Sequence, residues 1–465
     1  MRCDVRVART IGIDNQRMNL LLQGVDPLRQ DQKSMSENPG MPLRRELGLL
    51  DFTAIGINIL IGGSIFLIGS TVHRLAGSWS VSAFFAVGIM ALLLGLTVAG
   101  VASRFEGTGG PAEYVHAAFG RFAGFEIAWL MWITRVIVQA SLSNGIVLSL
   151  TPYFPALGQG YFRGAAIVVI NLGLMMIALR GIRQTARTIK TFALLKLVPF
   201  ALVLALGLRQ IDLATALPVT PFNPPAFGSV LLLLVFSFSG YELIPVTAGE
   251  GRNARRDAPR AVVISILSLL VVICSLQLVL VSTVPELAAS TTPVADAARA
   301  LAGERGFLIV SIGAVVSTTG TCFGMILAAS RLLYSQSVDG NLPEVFGRLE
   351  PQRRVPGAAI VFSTLCALTL ALTGSFVALA AVSAVPRLLT LIAVALAECR
   401  FQSAAGKTSA PAALFRLPGG RVIPFTGCLL AGAILCGVSW TQFGAGAGAV
   451  LCGAVVYLIA RRQRS

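Results

Sequence analysis

Charged residues vanish from long stretches of this chain. None lies between Arg74 and Arg104, Arg135 and Arg163, Arg260 and Glu286, Arg305 and Arg331, or Arg421 and Arg461. About 20 apolar residues carry a helix across a bilayer, and a helix satisfies its own backbone groups there. The pattern predicts twelve spanning helices, over residues 49–72, 79–102, 122–150, 164–180, 189–208, 227–248, 259–283, 306–335, 356–374, 376–397, 422–440 and 443–460. Residues 1–43 mix Arg, Asp, Gln, Asn and Pro without helical periodicity and read as a flexible tail. The apolar run from Met18 to Leu22 is too short for the core of a signal peptide, so the first span is expected to serve as the targeting signal.

Composition agrees with this reading. The chain is 55% hydrophobic and 12% charged, where a soluble domain carries about 25% charged residues. The net charge of +16 is informative through its placement. Alternate connections after the tail hold 21 Lys and Arg on one side and five on the other (Arg74, Arg163, Arg209, Arg299 and Arg305). The positive-inside rule places the richer set and both termini in the cytoplasm, in an inner or plasma membrane. A nucleic-acid surface would gather these cations rather than split them among short connections. The lipid bilayer is thus the expected large partner, with no nucleic acid.

The eight cysteines form no CxxC pair, and six of them lie inside apolar segments, where they act as small hydrophobes. His73 and His116 stand apart from carboxylates or thiolates at ligand spacing, so no metal or cofactor is expected. HExxH, P-loop and hydrolase-elbow motifs are absent, and no enzyme activity is read.

Two segments are built to break. The first span carries Ile61-Gly62-Gly63-Ser64-Ile65-Phe66 at its middle; the sixth carries Phe236-Ser237-Phe238-Ser239-Gly240-Tyr241-Glu242, followed by Pro245 and Gly249. Small residues also permit close helix packing, so either stretch alone has a bland reading. The pair is stronger, because these spans occupy corresponding places in two five-helix halves. Irregular backbone at membrane depth is tolerated only where it is buried in protein or lines a cavity, and its freed N–H groups can hold an anionic group.

These residues carry a resemblance. Arg44-Arg45-Glu46-Leu47-Gly48-Leu49-Leu50-Asp51 leading into the first break resembles the opening of the amino acid-polyamine-organocation (APC) transporters. The likeness continues through Gly109-Gly110-Pro111-Ala112-Glu113-Tyr114, Ser239-Gly240-Tyr241-Glu242, Gly249-Glu250, Asp257-Ala258-Pro259-Arg260-Ala261, Ser330-Arg331-Leu332-Leu333-Tyr334 and Asp339-Gly340-Asn341-Leu342-Pro343, in the family's order over about residues 44–400. It implies an all-α polytopic membrane protein with the LeuT-type fold: an inverted repeat of five plus five helices and two peripheral ones. The corresponding division is a tail over 1–43, repeats over 44–208 and 209–400, and the peripheral helices with a basic carboxy terminus over 401–465. It also implies a substrate site at the two breaks, with Gly62, Gly63 and Ser64 holding a carboxylate and Ser239 and Gly240 on the facing break. Where Ser64 stands the family more often has glycine; a serine adds a hydroxyl donor and takes space beside the carboxylate. Phe236 and Tyr241 are pocket or gate aromatics on this reading, or apolar packing on the plainer one. The stretch from Glu106 to Phe119 resembles the family's inner gate, or is an ordinary amphipathic connector.

Ionisable groups at membrane depth cost about 2.5–3.5 kcal/mol on insertion scales, so each needs a reason. Glu242 directly follows the second break and is a proton carrier or a structural carboxyl bonded to a neighbouring helix. Lys196, within Leu195-Lys196-Leu197-Val198-Pro199, resembles a lysine that some sodium-independent members place where sodium-coupled relatives bind a cation; the alternative is snorkelling to the cytoplasmic surface. Arg135 and Arg387 pair with Glu242, Glu126 or Glu398, or face a water-filled path. The chain thus reads as a secondary active transporter of an amino acid or related organic amine, working by alternating access, with proton symport through Glu242 and Lys196 set above exchange. A non-transporting receptor on the same scaffold is the reading from another class, and no sizeable cytoplasmic domain is visible for it.

Overall fold

The computed structural model describes residues 47–107, 109–180, 196–212, 214, 217–219, 221–353, 355–403 and 411–462. The tail expected over 1–43 and the fifth span up to residue 195 lie outside the described residues. Among the described residues the chain is helical, with no strand beyond one isolated bridge. In order the helices are α1 (Leu49–Leu60), α2 (Ile68–Ala76), α3 (Ser80–Ala102), α4 (Pro111–Phe119), α5 (Arg121–Leu150), α6 (Gly160–Leu179), α7 (Leu197–Gly207), α8 (Pro224–Ser237), α9 (Ala254–Thr283), α10 (Pro293–Val338), α11 (Gly357–Thr373), α12 (Phe376–Ser403), α13 (Val422–Cys436) and α14 (Trp440–Arg462).

Every expected span contains a helix. Among the described residues, eight helical stretches are long and apolar enough to cross a membrane unaided, while the regions of α1, α7, α11 and α13 are shorter apolar helices. The largest departure is α10, which starts at Pro293, well before the expected residue 306, and turns at Ala302 and Gly303 (φ +66°). Its first part carries Asp296 and Arg299 and therefore escapes a reading based on apolar length. Pro293 suits a helix start, since its missing N–H would be unpaired there anyway.

Inside a bilayer, lipid is as apolar as leucine, so close packing and polar bonds decide which helices pair. Between α3 and α9 the contact is made by glycines. A Cβ on Gly88 would enter Leu270 and one on Gly95 would enter Ile266. The long helix α5 is almost wholly buried and packs against α10, α11 and α12. A polar seam ties it to its neighbours. Gln139 Nε2 donates to Asn171 Oδ1 (3.0 Å), Asn171 Nδ2 to Ser143 Oγ (3.0 Å), and Trp132 Nε1 to Ser363 Oγ (3.0 Å). Such bonds fix the rotation of α5 and thereby the direction in which Arg135 points.

One end of the two interrupted helices is zipped by backbone. Leu47 N donates to Glu250 O (2.9 Å) and Arg252 N to Leu47 O (3.0 Å), joining the chain before α1 to the end of the segment after the second break. Helix α4 leans on the same place, since a Cβ on Gly110 would lie 2.6 Å from Val246. Its Tyr114 is buried beside Phe105 (5.0 Å between ring centres), and Phe105 also meets Phe401 of α12. At this end the buried carboxylate of Glu398 takes Nε and Nη2 of Arg104, both at 3.2 Å.

Candidate substrate site at the two helix breaks

Both expected interruptions are present. Helix α1 stops at Leu60, Ile61 and Gly62 leave helical geometry, and a short 3₁₀ turn over Gly63–Phe66 leads into α2. The cause is steric as well as conformational. A Cβ on Gly63 would lie 2.5 Å from Cα of Thr318 on α10, so only glycine admits this approach of two backbones. Gly62 is roomier, its added Cβ meeting the Thr321 methyl at 3.4 Å. The Gly62 amide donates to Leu60 O (2.9 Å), whereas the first bond of the new turn runs from Ile65 N to Gly62 O (3.4 Å). The amides of Gly63 and Ser64 therefore precede the ladder, as the first N–H groups of any helix do. Of the three amides expected to hold a carboxylate, these two are free of the turn and that of Gly62 is already engaged.

The second break follows α8, whose start is set by Pro224 and Pro225 and by Asn223 Oδ1 accepting from Ala226 N (3.2 Å). The helix ends at Ser237, and a ten-residue 3₁₀ segment, Tyr241–Glu250, takes over. Gly240 joins them at φ +117°, a conformation that disfavours any side chain. A Cβ there would also stand 2.5 Å from Ile59 Cγ2, so this break is pressed against the end of α1. Gly240→Ala is accordingly expected to cost about 1–3 kcal/mol through backbone strain alone. Thermal unfolding of the purified variant in detergent measures it, and an unshifted midpoint would contradict the strain.

Between the breaks lies a cavity of about 30 Å³, lined by Gly62, Gly63 and Ser64 from the first, Phe236, Ser237, Ser239 and Gly240 from the second, and by α5, α10 and α12. This is room for a water or two, against roughly 300 Å³ and more for a small-molecule site. A solute can enter only if the surrounding helices move apart. Phe236 is in the lining; Tyr241 is buried but outside it. Ser239 Oγ donates to Phe236 O (2.6 Å), which stitches the end of α8.

Glu242 is drawn back toward the break. Its Oε2 accepts from Gly240 N (2.8 Å), and its Oε1 faces two arginines: Arg135 Nη2 of α5 at 3.2 Å and Arg387 Nε of α12 at 3.6 Å. All three side chains are at most 3% exposed. Among the open partners, then, it is Glu242 that both arginines choose. Glu398 is taken by Arg104, and the buried oxygens of Glu126 have no hydrogen-bond partner among the described residues. Lys196, also buried, donates from Nζ to the carbonyl of Asn58 in the last turn of α1 and does not snorkel. It lies outside the cavity lining but grips the helix end that forms it.

The family model described as amino acid permease matches residues 47–458, and the chain belongs to that family. It is similar to a branched-chain amino acid permease of Bacillus subtilis, at 24% identity over 91% of this chain and 94% of that protein. It is also similar to the arginine/ornithine antiporter of Pseudomonas aeruginosa, at 29% identity over 71% of each chain. A third relative is the chloroplastic cationic amino acid transporter 9 of Arabidopsis thaliana, at 28% identity over 70% of this chain and 61% of the plant protein. The chain thus spans about six tenths of that plant transporter. Family and relatives are transporters rather than enzymes, and the chain is a multi-pass membrane protein.

Proposed function

We propose that the protein is a secondary active transporter that moves an amino acid or related organic amine across an inner or plasma membrane by alternating access, with both termini in the cytoplasm. The observation that carries this reading is the coincidence of two helix interruptions around one cavity that retains polar atoms without a partner among the described residues, among them Ser237 Oγ. The carboxylate of the solute rests on the Gly63 and Ser64 amides and its amine faces carbonyls at the ends of α1 and α8. The zipper between Leu47 and Glu250 and the packing of α4 are the contacts that part when the inner side opens.

Proton coupling rests on Glu242 and Lys196. A proton on Glu242 cancels the charge that holds Arg135 and Arg387, so proton arrival loosens the contact between α5, α12 and the second break. Loss of the Lys196 proton weakens its grip on Asn58, at the other break. Uptake into proteoliposomes should therefore rise with an inwardly directed pH gradient. Glu242→Gln, which keeps the side chain's shape but not its counter-charge to Arg135 and Arg387, should lower stability and flatten the pH dependence of whatever uptake remains, with protein still in the membrane. An unchanged pH profile removes Glu242 from the coupling role. Exchange is the second reading, favoured by relatives named as a serine/threonine exchanger and an arginine/ornithine antiporter. It predicts flux driven by internal solute with no response to the gradient.

A further inference from the structure

The cavity between the breaks holds more positive charge than it neutralises. Arg135 and Arg387 both line it, and Glu242 is the one carboxylate ion-paired to them among the described residues. With Glu242 ionised, two guanidinium groups against one carboxylate leave a formal excess of +1 at this site. The hydrogen bonding is incomplete in the same sense. Arg135 Nε and Arg387 Nε and Nη1 are buried donors without an acceptor among the described residues, although Arg387 Nε stays within ion-pair distance of Glu242. A guanidinium offers five donors in a fixed fork suited to a carboxylate. Leaving buried donors of a charged group unmade is expensive, so whatever occupies the cavity gains by supplying acceptors.

We infer that the site selects amino acids with an acidic side chain, the second carboxylate accepting from the unused donors of Arg387 and Arg135. This inference rests on the transport reading and narrows it. A zwitterion with an added carboxylate carries −1 and brings the site to neutrality; a neutral amino acid leaves the excess and the open donors in place. A cationic amino acid or a polyamine adds like charge beside two buried arginines, at low dielectric, where repulsion is strong. On this inference each carboxylate has its own place among the lining residues: the α-carboxylate at Gly63 and Ser64, the side-chain carboxylate at the arginines of α5 and α12. The chain would then differ in solute from its relatives named for cationic amino acids.

The test compares solutes of matched shape and different charge. Purified wild-type protein is titrated with L-glutamate, L-glutamine, L-aspartate, L-asparagine, L-leucine and L-lysine, and uptake of each is measured in proteoliposomes. The acids should bind at least tenfold more tightly than their amides, with lysine the weakest. Arg387→Gln should bring glutamate and glutamine within threefold of one another, and Arg387→Lys should keep glutamate ahead. Should the glutamine variant fail to fold, the wild-type order and the lysine variant still decide. Glutamine, leucine or lysine binding the wild type as tightly as glutamate overturns the inference while transport stands. If no amino acid of any charge binds or is taken up, the transport reading itself falls and the inference with it.

Discussion

Removing the Glu242 carboxylate by Glu242→Ala should destabilise the protein by about 3–5 kcal/mol, the range for stripping one partner from a buried ion pair. The carboxylate is ion-paired to two arginines that are 1% and 3% exposed, and alanine would leave both cations buried without a counter-charge. Thermal unfolding in detergent should show a large fall in the midpoint, and uptake should be lost. Combining it with Arg135→Met and Arg387→Met should recover most of the stability, because an apolar set of similar volume replaces the whole ionic group. Uptake should not return. A Glu242→Ala variant as stable as the parent would show that the three charges are not coupled.

The second large effect concerns the first break. Gly63→Val should reduce uptake by about a hundredfold or more, the scale on which small displacements of positioning groups act. Valine cannot be absorbed by a rotamer change in a neighbour, since the added Cβ meets the Thr318 main chain as well as its side chain. Helix α10 must retreat, and the free amides of Gly63 and Ser64 move with the turn. Gly62 supplies the control. Gly62→Ala should be tolerated, as its Cβ reaches only the Thr321 methyl at 3.4 Å, whereas Gly62→Leu should fill the cavity and abolish binding. Normal affinity in Gly62→Leu would contradict the placement of the site.

Both breaks were legible in the chain because glycine, serine and proline interrupt an apolar run at matching places, and backbone freedom is a local property. The helices under the expected spans were legible for the same reason, each lying in a continuous apolar stretch of sequence. The partner of Arg135 and Arg387 was not. Three carboxyls, Glu126, Glu242 and Glu398, lay on helices of unknown rotation, and only the packing of α5 and α12 against the second break selects Glu242. Nor could the sequence tell that the Gly62 amide closes onto Leu60, which depends on the dihedral angles of two residues. The early start of α10 was hidden by its charges, because apolar length reports only helix that lies in lipid.

The excess of arginine over glutamate gives the site a sign, and the two breaks give it a place. A structure of the purified protein bound to the amino acid with the highest uptake tests the place most directly. The account predicts ligand density between α1 and α8, within hydrogen-bond distance of the Gly63 and Ser64 amides. Density elsewhere, or α1 and α8 running as unbroken helices through Gly63 and Gly240, would contradict it.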